Sequence, residues 1–458
     1  MTRDYDQEVR GIKPEDLQYL CGELCKNNRI TAEDYAGFQN VKRGLRNSDG
    51  TGVVAGLTRI CNVHGYVMDE GEKMPVDGRL IYRGIDIMDI VKGCESEDRF
   101  GFEEVVWLLL FGDLPTAEQL SLLREVIEST RELPDSFTED MIMKAPSPNV
   151  MNKLARSVLA LYSYDENAED PSIENNLRQS IQLIARMPTI MVAAYEVKRH
   201  YYDHRSMYLH PAKPGHSIAE NILYTIRADK QFTDKEAKML DLCLMLHAEH
   251  GGGNNSTFAT RVLTSSGTDI YSAIAAGIGS LKGPKHGGAN HKVMEMLDCI
   301  EENVPELTDA AMTDFINKIM DKDAGDGSGL IYGMGHAVYT KSDPRAVLLK
   351  SKAIEMASGT DYEREFKILD AVERLTPGIF RERKHTTQTI CANVDLYSGL
   401  VYRMLNIPPD IYTPLFAISR TAGWCAHRIE ELISGDKIIR PAYKSISETR
   451  DYVPLESR

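Results

Sequence analysis

The sequence predicts an all-α fold with minor β structure near the N-terminus. Three features carry that reading. From about residue 100 onward apolar residues recur at helical spacing, several of those runs open on capping boxes, and only residues 51–92 alternate instead. Residues 1–50 read as short helices with polar connectors. Across 51–92, β-branched and aromatic residues alternate with Gly and turn residues, as in Gly-Arg-Leu-Ile-Tyr-Arg-Gly at 78–84, so short strands are expected. Pro188 lies inside the apolar run 178–197 and predicts a kink or break, because it lacks the amide an interior helical turn needs. Ser217 with Glu220, and Thr233 with Glu236, form S/T-x-x-E boxes ahead of two further helices. In the second, Ala237, Leu240, Leu244 and His247 share a face, and Gly251, Gly252 and Gly253 stop it. Gly-Ile-Gly-Ser-Leu-Lys-Gly (277–283) follows no strand and reads as a packing helix, not a dinucleotide loop. Asp343-Pro344 supplies an N-cap and an N1 proline for a helix to about Ala357.

Composition bounds the function. Hydrophobic residues make up 42% of the 458, enough for a sizeable core, yet no apolar stretch reaches 18 residues and no membrane span is expected. The formal charge of −15 opposes non-specific nucleic-acid binding. It also requires that any anionic substrate meet arginines concentrated against the global field. The first residues, Met-Thr-Arg-Asp-Tyr-Asp-Gln-Glu, hold acids and no apolar run, which argues against a signal or transit peptide. Eight cysteines are scattered with no C-x-x-C pair, the pattern of reduced thiols in a cytoplasm.

Histidines carry the chemical signal. His247 and His250 lie in H-A-E-H-G-G-G-N-N-S, His286 in G-P-K-H-G-G-A-N and His336 in G-M-G-H-A-V-Y. Glycine lets backbone approach a ligand closely, and such loops offer free amides at the next helix start. Each histidine alone also reads as a plain turn residue; three such loops within 90 residues favour a site. Arg345 sits in the first turn of its helix, where the dipole disfavours a cation, which suggests either a forked contact with a carboxylate or a plain exposed surface arginine. Asp395 stands in the apolar run C-A-N-V-D-L-Y-S-G, either as a helix cap or as a desolvated carboxylate whose raised pKa makes it a better base. Arg420 lies in a similarly apolar frame, and Arg440 precedes Pro441 in a polar C-terminal segment. H-A-E-H lacks the H-E-x-x-H spacing of a metalloprotease, so no metal site is expected.

Taken in order, G-P-K-H-G-G-A-N, G-x-G-H-A-V-Y-x-K-x-D-P-R, N-V-D-x-x-S-G and L-F-x-I-S-R resemble the citrate synthase family over roughly residues 50–445. The resemblance implies a helical homodimer whose small domain, 289–405, closes over the substrates. The large domain takes 1–288, with 1–50 as an N-terminal extension, and 406–458. Its three catalytic groups fall on His286, His336 and Asp395. Its oxaloacetate contacts fall on His250, Arg345 and Arg420, with Arg440 supplied by the partner subunit, so the active site is shared. Its CoA-adenine segment falls on Leu330, Ile331, Tyr332, Gly333, Met334 and Gly335. Thr340 stands where many relatives place a basic residue towards the CoA phosphates. The implied reaction condenses acetyl-CoA with oxaloacetate and water to citrate and CoA, an acyl transfer of the tricarboxylic acid cycle needing no metal or redox cofactor. 2-Methylcitrate synthase, acting on propionyl-CoA, shares the catalytic groups and is the nearest alternative. A metal-dependent hydrolase and an inactive CoA-binding scaffold are remote ones.

Overall fold

The computed structural model describes residues 14–27, 30–36, 38, 40–47, 50–70, 72–386 and 389–458. The chain forms two compact units, Met1–Ala55 with Arg440–Arg458, and Gly56–Ile439. The described part of the first unit holds helices α1 (Pro14–Asn27) and α2 (Ala32–Ala36) and a 3-10 turn at Arg43–Leu45. At the head of α2 the Thr31 amide and hydroxyl both donate to Asp34 Oδ2, at 2.6 and 2.9 Å. These elements match the short helices expected before residue 50. Residues 440–458 carry no helix or strand up to a 3-10 turn at Leu455–Ser457, and Arg440 is exposed.

The second unit opens on the expected β segment. Strands β1 (Cys61–Asp69), β2 (Glu72–Tyr82) and β3 (Ile85–Asp86) form an antiparallel sheet in that order. Cys61 faces Tyr82 and Asp69 faces Glu72, with a register shift between His64 and Tyr66. Leu80 and Tyr82 are fully buried on its inner face.

Helices follow. α3 (Ile87–Ser96), α4 (Phe102–Phe111), α5 (Ala117–Thr130), α6 (Val150–Leu161), α7 (Ile173–Tyr201) and α8 (Ile218–Ile226) come first. Then come α9 (Asp234–His247), α10 (Asn255–Ser265), α11 (Ile270–Leu281), α12 (Ala289–Asn303) and α13 (Asp309–Met320). α14 (Pro344–Ala357), α15 (Glu363–Lys384), α16 (Asp395–Met404) and α17 (Tyr412–Ser434) complete the unit. Both capping boxes form: Ser217 and Glu220 close α8, and Thr233 and Glu236 close α9. Asp343 caps α14, Pro344 is its first residue, and it ends at Ala357 as expected. The 277–283 stretch falls at the end of α11, where Gly277 packs so near Thr260 and Trp424 that a Cβ would lie 2.8–3.1 Å from them.

Pro188 does not break its helix, the stronger of the two outcomes expected of it. α7 runs unbroken through it for 29 residues. The physical reason is burial: Leu183, Ile184, Met187, Pro188, Ile190 and Met191 all sit in the core, and tertiary packing outweighs the one lost backbone bond. The core centres on α17, buried from Tyr412 to Ile429 and packed against α4, α7, α9, α10 and α11. α12 and α14 pack on α16, and α13 on α15. Among the described residues, no helix is long and apolar enough to cross a membrane.

Candidate active site

Chain ends of helices meet at one place. α9 stops at His247, and the following loop turns at Gly251, whose φ of 87° is open to glycine but strained for other residues. That turn exposes Glu249 and His250 to their neighbours. His250 and His336 stand edge to face with ring centroids 5.0 Å apart. Burial, followed by the charge of Arg345, pushes the His250 pKa well below its ordinary value, so this ring is neutral. His250 Nε2 is buried without a hydrogen-bond partner.

The His336 loop sets its own tautomer. The amides of Val338 and Tyr339 both donate to His336 Nδ1 at 3.0 Å. A nitrogen that accepts carries no proton, so the ring proton resides on Nε2, which is a donor. Just before it, Gly333 and Gly335 have φ of 79° and 93°. This segment pairs with 391–393: the Gly335 amide donates to Cys391 O, the Asn393 amide to Gly333 O, and Met334 bridges Ala392. The bonded pair delivers the chain directly to Asp395.

Asp395 is the first residue of α16, and its side chain caps nothing. Oδ1 is buried and unpartnered. Burial raises its pKa to about 7, with Arg345 and Arg420 opposing and Asp343 adding to the rise. Of the two roles open to it from sequence, the desolvated carboxylate is the one observed.

His286 lies between α11 and α12, with Nε2 3.1 Å from Ser256 Oγ. Ser256 Oγ also receives Trp424 Nε1–H at 3.2 Å and lies 2.9 Å from Asn254 Oδ1. Burial, then the charge of Arg420, lowers the His286 pKa to about 4, so it too is neutral. Desolvation is the larger cause.

Two arginines face this group. Arg420 is fully buried in α17, its Nε donating to His247 O at 2.7 Å, while Nη1 and Nη2 have no partner. Burial lowers its pKa, and Glu249 opposes that shift most strongly. Arg345 is also buried, but its forked edge is already taken: Nε and Nη2 donate to Asp343 at 3.0 and 2.7 Å. The forked contact expected of Arg345 is thus made with the residue that caps its own helix. That pairing offsets the dipole penalty at the helix start.

Sequence reading missed what stands behind these groups. Arg261 Nε and Nη2 donate to His427 Nδ1 at 3.0 and 2.7 Å, so His427 Nε2–H donates to Glu249 Oε1 at 3.1 Å. Arg261 in turn pairs with Glu430 and Glu431. His247 is fully buried against Phe416, ring centroids 4.3 Å apart, with both ring nitrogens unpartnered. The only local signal was the acid inside H-A-E-H. Thr340 Oγ1 is likewise buried and unpartnered. Of the named residues, Arg440 belongs to the other unit.

A neutral imidazole donor, a desolvated carboxylate, a buried Arg345 paired with Asp343, and a buried Arg420 whose two Nη groups have no hydrogen-bond partner are the groups of an acid–base site in an all-α enzyme. Comparison with known proteins narrows the class. Residues 46–442 match the family model described as "Citrate synthase, C-terminal domain". Citrate synthase of Synechocystis sp. is 35% identical over 415 residues, spanning 89% of this chain and 92% of that one. 2-Methylcitrate synthase 2 of Corynebacterium glutamicum is 31% identical, spanning 92% and 98%. A solved ternary complex of carboxymethyl coenzyme A and oxaloacetate with citrate synthase from Thermoplasma acidophilum superposes with a TM-score of 0.74 at 26% identity, covering 91% and 99%. The chain belongs to the citrate synthase family.

Proposed function

We propose that the chain condenses acetyl-CoA with oxaloacetate and water to give citrate and CoA. One observation supports it most: an unpartnered carboxylate oxygen with a pKa raised to about 7 shares a site with two neutral imidazoles and the buried Nη groups of Arg420, which have no hydrogen-bond partner. The hard step is removing a proton from a thioester methyl, a very weak acid. Asp395 takes that proton, and His286 donates to the thioester oxygen as negative charge develops there. For that donation Nδ1 must carry the imidazole proton. The single Ser256 hydroxyl proton has two claimants, Asn254 Oδ1 and His286 Nε2; given to Nε2, it leaves Nδ1–H free to donate. His336 Nε2–H polarises the oxaloacetate carbonyl and protonates it as the carbon–carbon bond forms. Hydrolysis of the citryl thioester then releases CoA.

Arg420, the remaining Nη1 edge of Arg345, His250 and Arg440 from a partner subunit hold the oxaloacetate carboxylates, which makes the site a property of a homodimer. Leu330, Ile331, Tyr332, Gly333, Met334 and Gly335 carry the CoA adenine. The segment 289–405 acts as a small domain closing on the large domain of 1–288 and 406–458, excluding water until condensation is complete. The thioester enters as substrate, and the chemistry calls for no resident cofactor. The free thiols among the described cysteines accord with a cytoplasmic location.

A second reading, 2-methylcitrate synthesis from propionyl-CoA, rests on the Corynebacterium relative, whose identity lies only four points below that of the Synechocystis enzyme (35 against 31%). One methylene in an apolar pocket is worth only about 1–3 kcal/mol, so the shared catalytic groups leave the choice open to experiment. Thiol release from acetyl-CoA and from propionyl-CoA, each with and without oxaloacetate, separates the two. Oxaloacetate-dependent release favouring acetyl-CoA is expected. Preference for propionyl-CoA transfers the mechanism to the second reading, and no release from either rejects both.

A further inference from the structure

The small sheet has no chemistry of its own, yet it touches the His336 loop at several points. Tyr339 is 1% exposed, and its hydroxyl donates to Arg79 O on β2 at 3.1 Å. Its ring stacks on His336, with centroids 4.6 Å apart and planes 25° apart. The same ring meets His250 edge-on at 5.6 Å. The sheet is shaped to receive it. A Cβ on Gly78 would fall 2.7–2.9 Å from the Tyr339 ring, and one on Gly65 would fall 3.0 Å from it and 2.9 Å from Val338 O. Beside this seat the Gly78 amide donates to Ser342 Oγ at 3.1 Å, and Lys341 pairs with Asp77 at 3.0 Å.

The geometry points to Tyr339 as the positioning residue of His336, carrying a fixed position from strand β2 to the imidazole through a tethered hydroxyl at one end and a stacked ring at the other. Two backbone amides fix which nitrogen of His336 bears the proton, and the stacked Tyr339 ring adds a contact with the imidazole face. The Tyr339 face bounds the His336 ring on one side, and His250 stands edge-on beside both rings, 5.0 Å from His336 and 5.6 Å from Tyr339. Gly65 and Gly78 serve the same end, because a side chain at either would crowd the Tyr339 ring and the loop backbone beside it, with Ser342 O 2.1 Å from a Cβ on Gly78. This inference rests on the citrate-synthesis reading, since its readout is the step assigned to His336.

The test compares wild type with Tyr339→Phe, which cuts the tether, and Tyr339→Leu, which also removes the stack. Assays run well below each variant's melting midpoint, so that partial unfolding is not read as slow chemistry. A misplaced catalytic group slows turnover without changing how a remote part of the substrate binds. Tyr339→Phe is expected to lower kcat about threefold and Tyr339→Leu at least about tenfold, with the KM for acetyl-CoA unmoved in both. Either variant turning over at the wild-type rate overturns the proposal, and so does a loss seen wholly in the acetyl-CoA KM. Should Tyr339→Leu fail to fold, Tyr339→Phe decides alone. Wild-type protein without oxaloacetate-dependent thiol release sinks the underlying reading instead, so the two failures are distinct.

Discussion

At the scale of single residues, the site is a set of groups whose ionisation is set by what surrounds them. The base role proposed for Asp395 requires its charged form, and burial raises its pKa to about 7. In the free enzyme kcat/KM should therefore fall about tenfold for each pH unit below 7. A profile flat down to pH 5 contradicts the assignment. The same shift has a stability sign. The folded state holds the Asp395 proton more tightly than the unfolded chain, so folding loses stability as pH rises from the ordinary carboxyl range through 7. Asp395→Asn should then raise the melting midpoint at pH 8 and leave it unchanged at pH 4, which calorimetry would read. Ser256 is the second case. Its hydroxyl lies 3.1 Å from His286 Nε2, and Ser256→Ala removes the group proposed to let Nδ1 carry the proton. A loss of about 10- to 100-fold in kcat, with little change in oxaloacetate KM, is expected. Much of this set was legible from residue type and spacing: four histidines beside glycines, and acids and arginines in apolar frames. Its second layer was not. Glu249 and His427 are 178 residues apart, and Tyr339 and Arg79 are 260 apart. No local pattern encodes such pairs, because folding alone brings them together.

At the scale of elements, local chemistry predicted best where the elements are locally determined. Capping boxes at α8 and α9 and the Asp-Pro start of α14 involve side chains and amides within three residues, so sequence fixes them before any tertiary contact forms. Pro188 shows the limit of that logic. Its effect depends on how firmly α7 is gripped on both sides, which is a property of the core. The sheet was foreseen as strands, but its service as a seat for Tyr339 was not. The 330–335 segment illustrates how an element transmits structure to chemistry. Paired with 391–393, it fixes the entry to α16, and Gly333 lies where a Cβ would sit 2.8–2.9 Å from Leu396. Gly333→Ala combines a positive φ with that clash and should displace both the adenine segment and Asp395. A rise of several-fold in the acetyl-CoA KM together with a fall in kcat is the expected result; unchanged kinetics contradict the coupling.

At the scale of the whole molecule, the chain concentrates cations at one site despite a net charge of −15. It does so by neutralising each in advance: Asp343 pairs Arg345, and Glu249 stands by Arg420. The charges are held in place before the substrate arrives, so little reorganisation accompanies binding. The proposed sharing of the site across a homodimer would add Arg440, and complementation tests that directly. Arg440→Ala and His286→Ala should each be nearly inactive alone. Mixed and reassembled, they should recover up to about a quarter of wild-type sites, because half of the mixed dimers' sites receive neither lesion. Recovery no greater than the sum of the parents contradicts a shared site.

The central claim is that Asp395 begins an oxaloacetate-dependent condensation. Its most direct test is CoA release from acetyl-CoA and oxaloacetate by wild type and by Asp395→Asn, with CoA binding measured on both by calorimetry. The account predicts release by wild type, a loss of at least about a hundredfold in the variant, and equal CoA affinity in the two. Near-normal release by Asp395→Asn would contradict it.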